Sequence, residues 1–258
     1  MPRGNRYRQA GYVWHITERC HRQQFLLKFA RDRRTWMHWL YEARRRFALC
    51  VLNYQVTCNH VHLLVQDRGD DAIARSMQLI AGCTGQAYNR RKRRRGAFWE
   101  DCYHATAVDT ESYLARCLTY IDLNMVRAGV VEHPRDWPEA GYGEIQAPRA
   151  RYRIIDRVAL CELVGVADEQ LAERQNEWIA ARLGRSDREP HWSDAVAVGR
   201  RSFVERIREE LGTRARSRQV EDVDGASILR EGAAPYGPRS GTEMAAVSQK
   251  SGSDSHTS

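Results

Sequence analysis

The chain lacks any apolar run of membrane-spanning length, and its opening residues, Met1 to Arg8, are polar and basic with no apolar signal core behind them. No membrane partner and no export are expected. Its seven cysteines, Cys20, Cys50, Cys58, Cys83, Cys102, Cys117 and Cys161, are odd in number, and no two stand at CxxC spacing. A zinc knuckle and a secreted disulfide framework are both disfavoured, which points to a reducing, cytoplasmic compartment. There is no internal repeat. Negative charge is also short: 33 Asp and Glu face 41 Lys and Arg, a formal +8. That surplus favours polyanions, nucleic acid above all.

The cations are clustered. Arg90, Arg91, Lys92, Arg93, Arg94 and Arg95 occupy six consecutive positions, Arg44-Arg45-Arg46 form a second group, and Arg3, Arg6 and Arg8 lie on an N-terminal arm. Such a run is often only a solvated face. Here Arg dominates, and its planar fork suits phosphate oxygens, so the run is a candidate DNA-binding element. The arm can track a nucleic-acid backbone or be a frayed terminus.

Alternation in Tyr12-Val13-Trp14-His15-Ile16-Thr17 predicts a first strand, and Trp36, Leu40, Ala43 and Phe47 predict a helix over about 30–47. Strands follow at 48–56 and about 60–66, close enough to pair as a hairpin. Asp70-Asp71 is placed to cap a second helix with Ile73, Met77, Ile80, Thr84 and Ala87 inward, and a fourth strand is expected near 103–108. Asp109-Thr110-Glu111 opens a third helix, whose inner stripe is Leu114, Cys117, Leu118 and Ile121, and Gly129 stops it. The order β-α-β-β-α-β-α predicts an α+β sandwich, an antiparallel sheet with helices on one face. We divide the chain into a core at 1–131, a Pro-containing connector at 132–153, a small helical appendage at 154–212 and a disordered tail at 213–258.

The strand Thr57-Cys58-Asn59-His60-Val61-His62-Leu63-Leu64-Val65 organises the rest. Residues two apart on a strand share a face, so His60 and His62 present both imidazoles together. Neutral imidazoles at that spacing can share one first-row divalent cation such as zinc or manganese. The third helix can complete the site. At about 100° per residue Tyr120 lies roughly 110° from the centre of the buried stripe, beside the core, with Asn124, Arg116 and Arg127 on the same line. Asn124 can supply an amide oxygen as third ligand. Tyr120 would then set a phenol, of ordinary pKa about 10, against a phosphate whose cation activates it. Attack would leave a phosphotyrosine on one DNA end and a free hydroxyl on the other.

The pair Cys58-Asn59-His60-Val61-His62-Leu63-Leu64 and, some sixty residues on, Tyr120-Ile121-Asp122-Leu123-Asn124-Met125-Val126-Arg127-Ala128-Gly129 resembles the single-tyrosine transposases of the His-hydrophobe-His class, in particular their REP-associated branch. Tyr12 to Thr17 and Phe98-Trp99-Glu100-Asp101 are similar to the same group, and Gly199-Arg200-Arg201-Ser202-Phe203-Val204 is a weaker echo. The resemblance covers about 2–131. It implies a ferredoxin-like sandwich, a Tyr120 nucleophile, a metal site of His60, His62 and Asn124 holding Mg2+ or Mn2+, and single-stranded DNA with hairpins as partner. Relatives act as monomers or as homodimers with shared sites, so oligomeric state stays open. Thr57-Cys58 stands where Met-Pro is common, and Met125 where proline follows the asparagine.

Alternatives remain at this point. Tyr113 occupies nearly the same helix line as Tyr120, and Tyr103 is also near. His15 and His104 can support the metal ligands from behind, contact DNA, or be structural. A domesticated or decayed relative would be a non-catalytic single-stranded nucleic-acid-binding protein, with Trp14, Trp99 and Tyr103 as stacking platforms.

Overall fold

The computed structural model describes residues 10–184 and 189–231; the basic arm and the stretch after 231 lie outside them. Val13–Arg19 (β1), Ala30–Phe47 (α1), Cys50–Val56 (β2), His60–Gln66 (β3), Ala72–Lys92 (α2) and His104–Val108 (β4) follow in β-α-β-β-α-β order. Their strands stand as β2-β3-β1-β4, every pair antiparallel. This is the ferredoxin-like sandwich expected from the sequence.

Apolar alternation decides what faces where. Trp14, Ile16, Val61 and Leu63 join Trp36 and Leu40 of α1 and Met77 and Ile80 of α2 in one core, with Trp36 wholly buried. Truncating an aromatic of that kind costs about 3–5 kcal/mol, so this packing holds the sandwich. In the β1–β3 register Thr17 sits opposite His62 and Arg19 opposite His60; β2 sets Gln55 opposite His62. The other sheet face therefore carries the histidines.

That face is covered as well. Ser112–Asp122 (α3) lies on it, anchored where the Asp122 carboxylate accepts from Asn53 Nδ2 at 2.9 Å and from Gln175 Nε2 at 2.8 Å. The helix breaks at Leu123 and resumes as Asn124–Arg127 (α4), where one helix was expected; Gly129, at φ 66°, ends it as anticipated. The expected caps differ too. Asp71 has φ 53° and caps nothing with its side chain. Asp109 cannot cap α3 because its carboxylate is held by Arg200, at 2.7 and 3.0 Å.

The rest of the chain is more deeply integrated than its sequence suggests. Within 132–153, Val56 N–H donates to Glu139 O at 2.9 Å and Gly141 N–H to Tyr54 O at 2.7 Å. The supposed connector thus seals the β2 edge, a standing hazard in open sheets. Tyr142–Gln146 (α5), Arg157–Val164 (α6), Asp168–Ala180 (α7), His191–Asp194 (α8) and Arg201–Leu211 (α9) are helical. Interleaved with them, Ala197–Gly199 (β5) pairs parallel to β4, and Arg218–Val223 (β6) with Ala226–Glu231 (β7) extends the sheet to seven strands. The expected tail from 213 is corrected accordingly: its first part is a hairpin turning at Asp224 (φ 51°) and Gly225 (φ 72°), and the appendage is not purely helical.

Candidate active site

Thr57 shapes the turn that delivers the histidines. Its hydroxyl donates to His60 O at 2.8 Å and accepts from His60 N–H at 3.0 Å, so a threonine does with hydrogen bonds what Met-Pro would do by backbone restriction. His60 Nδ1 lies 2.8 Å from Asn59 Oδ1, an acceptor, which puts the ring hydrogen on Nδ1 and leaves Nε2 bare. His62 Nδ1 lies 2.9 Å from His15 Nε2, and its Nε2 lies 3.1 Å from Asn124 Nδ2. The two ring centroids of His60 and His62 are 4.8 Å apart. Burial holds His60 and His15 neutral, with pKa values lowered to about 4, and lowers His62 well below its usual value.

These residues fit a divalent cation on the chemistry of their donors. His60 Nε2 carries no hydrogen, His62 Nε2 meets the Asn124 amide, and a cation would take both imidazole lone pairs with that amide turned to present its Oδ1. Among the described residues no group of three His, Cys, Asp or Glu side chains is placed to hold a metal.

A cavity of about 420 Å³ contains His60, His62, Tyr120, Asn124 and Arg127 in its wall, together with Arg19 and Ser193. The Tyr120 ring stands edge-on to His62 and His15, at 5.8 and 5.9 Å between centroids. Its hydroxyl shares a hydrogen bond with Ser193 Oγ at 3.0 Å. Tyr120 is more buried than expected, 9% exposed, because Trp192 packs beside it at 6.4 Å. Desolvation raises the phenol's pKa, while the Ser193 hydrogen bond and the Arg127 guanidinium, 4.5 Å over the ring, pull it down. Arg127 also donates to the Tyr120 carbonyl.

The competing residues are placed elsewhere or otherwise employed. Tyr113 reaches toward Gly225 O at 3.5 Å in the C-terminal hairpin, away from the histidines. Trp14 is 2% exposed and Trp99 donates to Ala81 O at 3.0 Å, so neither is an open stacking platform; Trp14 is corrected to a core residue. His104 and Thr106 both turn to Ala195 O, at 2.9 and 2.7 Å. In the arginine run, Arg91 pairs with the buried Asp32, and Arg94 holds Asn89 and Ala97 O at 3.0 and 2.9 Å. Arg90, Lys92, Arg93 and Arg95 are exposed. Arg116 donates to Asp224 O at 2.9 Å, a contact that fixes the hairpin turn. Trp192 and Ser193 carried no readable signal, since Pro190 to Asp194 has neither periodicity nor motif.

Residues 10–124 match the family model described as Transposase IS200 like. A Haemophilus influenzae (strain KW20/Rd) protein bearing the name REP-associated tyrosine transposase is 29% identical over 120 residues, 43% of this chain. The chain spans 64% of that relative's length. A REP-associated tyrosine transposase solved bound to a REP hairpin superposes with a TM-score of 0.48 at 20% identity, over 57% of this chain and 87% of that one. A solved Deinococcus radiodurans R1 protein described as a transposase gives 0.34 at 16%, over 47% and 96%.

Proposed function

We propose that this chain, whose residues 10–124 match the family model described as Transposase IS200 like, is a metal-dependent DNA transposase that cuts and rejoins single-stranded DNA beside hairpins through a phosphotyrosine on Tyr120. The observation that carries this reading is the one cavity in which His60, His62, Tyr120, Asn124 and Arg127 meet. Neither a structural histidine pair nor a boundary tyrosine accounts for that convergence.

His60, His62 and Asn124 would hold Mg2+ or Mn2+, of which manganese suits imidazole better. When bound, the cation supplies Lewis-acid polarisation of the scissile phosphoryl group. Arg127 sits beside the phenol and offers a guanidinium to the phosphate. Tyr120 loses its proton and its oxygen bonds to phosphorus; the bond from phosphorus to the 3′ oxygen breaks, and that oxygen gains a proton. The 5′ end stays on Tyr120. A second 3′ hydroxyl attacking the same phosphorus reverses the step and rejoins strands without a nucleotide cofactor.

Exposed Arg90, Lys92, Arg93 and Arg95 are the parts of the basic run available to a DNA backbone, and Arg91 and Arg94 brace the end of α2. Arg116 serves the fold more than the substrate. No helix among the described residues is long and apolar enough to cross a membrane. The cysteines carry free thiols, which suits a cytoplasmic setting. The same chemistry is open to a monomer or a homodimer. The test is incubation with hairpin-bearing single-stranded DNA and Mn2+, followed by a denaturing gel. A covalent protein-DNA band is expected from the wild type and none from Tyr120→Phe; a band surviving that change moves the role to Tyr113 or Tyr103.

A further inference from the structure

His15 is wholly buried between the metal-side histidine and a carbonyl contributed by a segment beyond the family-matched span. Its Nδ1 lies 2.7 Å from Trp192 O. A carbonyl oxygen can only accept, so the hydrogen of His15 is on Nδ1 and Nε2 is a lone pair. That lone pair faces His62 Nδ1 at 2.9 Å, so His62 must be the donor there. His62 is then left with a bare Nε2, the atom that meets Asn124 Nδ2 at 3.1 Å in the cavity. Each step forces the next. The two rings lie nearly parallel, 13° between planes with centroids 5.1 Å apart, an orientation that suits an in-plane N–H···N bond between their edges.

The segment that bears the starting carbonyl is tied to the sheet just beyond it. Ala195 O accepts from Thr106 and His104 on β4, and Val196 N–H donates to Leu229 O at 2.7 Å on β7. The next residue, Ser193, holds the Tyr120 hydroxyl. One short segment thus touches both halves of the site.

We propose that His15 is a positioning residue that relays the Trp192 carbonyl to His62, so that the C-terminal segment selects the His62 tautomer whose Nε2 is open to a cation. This rests on the reading of His62 as a ligand. Selection matters because an unconstrained neutral histidine favours the hydrogen on Nε2, the tautomer that cannot ligate through that atom. Partners that orient a ligating histidine in this way are typically worth about 10–100-fold in metal affinity.

The test uses the full chain with 15N-labelled histidine and no metal, read by long-range 1H–15N correlation, and Mn2+ binding measured by calorimetry. In the wild type both His15 and His62 should carry the hydrogen on Nδ1. His15→Phe should move His62 to the Nε2–H form and weaken Mn2+ binding about 10–100-fold. His15→Gln, whose amide can donate to Trp192 O and accept from His62, should recover most of that affinity. An Nε2–H form of His15 or His62 in the wild type overturns the proposal, as does His15→Phe with unchanged tautomer and affinity. If His15→Phe does not fold, the wild-type spectrum alone decides. Expected tautomers without any covalent DNA adduct would instead remove the nuclease reading and leave the relay standing.

Discussion

β3 and β7 are both strands of one sheet with interior residues, and their sequences could hardly differ more in what they announce. β3 alternates cleanly, His60-Val61-His62-Leu63, and puts its two donors on one side because the strand period is two. β7 is Ala226-Ser227-Ile228-Leu229-Arg230-Glu231, and its partner β6, Arg218-Gln219-Val220-Glu221-Asp222-Val223, is mostly polar. The first region holds the groups that would do chemistry. The second, with the α8 segment it supports, fixes how those groups are presented, through Trp192 O to His15 and Ser193 Oγ to Tyr120. On the proposed reading a recognisable core would carry the reactive atoms, and weakly patterned sequence would set their tautomer and orientation.

The sharpest way to break that division is to remove the donors. His60→Ala with His62→Ala, or EDTA on the wild type, should cut adduct formation by about a thousandfold or more, in line with the several kcal/mol a Lewis acid contributes. Far-UV circular dichroism should be preserved, since both substitutions only shorten side chains and leave the Trp36 core on the other side of the sheet untouched. Adduct formation that ignores both treatments would mean the C-terminal region and the arginines suffice.

A second effect probes the seam between the regions. His15 has its pKa lowered from 6.5 to about 4 by burial, so the unfolded chain takes up a proton there before the folded one does. The stability this group contributes is complete above about pH 6.5 and is lost as pH falls toward 4, by about 3 kcal/mol at roughly 1.4 kcal/mol per pKa unit. The metal-free Tm should drop over that window, and His15→Gln should make the drop shallower by the His15 share, with His60 and His62, also held neutral by burial, supplying the rest. Identical Tm profiles for the wild type and His15→Gln from pH 7 to 4 would place His15 in contact with water.

The smallest effect tests whether the hairpin belongs to the fold. Gly225 has φ 72°, and Val there would cost about 1–2 kcal/mol as a left-handed non-glycine residue. Gly225→Val should lower Tm by a few degrees while leaving the adduct band at 25 °C. No change in Tm would detach β6 and β7 from the cooperative unit.

Most of the sandwich was legible because Trp36, Leu40 and Ala43, and again Ile73, Met77 and Ile80, keep a helical period that packing then uses. Tyr120 and Asn124 were legible for the same reason, since helical spacing places them on one line; what spacing could not say is that Trp192 would bury the tyrosine. The caps failed where a carboxylate had a stronger partner, as Asp109 has in Arg200. The C-terminal hairpin was missed although Asp224-Gly225 is a strong short-range turn signal, because the charges of β6 read as a solvated tail. Nothing local reports that Arg116 serves that turn.

The account's central claim, that the phenol gathered with the two histidines is the attacking group, is tested most directly by locating the DNA on the protein. Arg116 separates the two candidate tyrosines of α3, so trypsin leaves Tyr113 on the peptide ending at Arg116 and Tyr120 on the one running from Cys117 to Arg127. Mass spectrometry of the nuclease-trimmed, trypsin-digested adduct should find the nucleotide mass on the Cys117 to Arg127 peptide. Finding it on the peptide that ends at Arg116 would contradict the account.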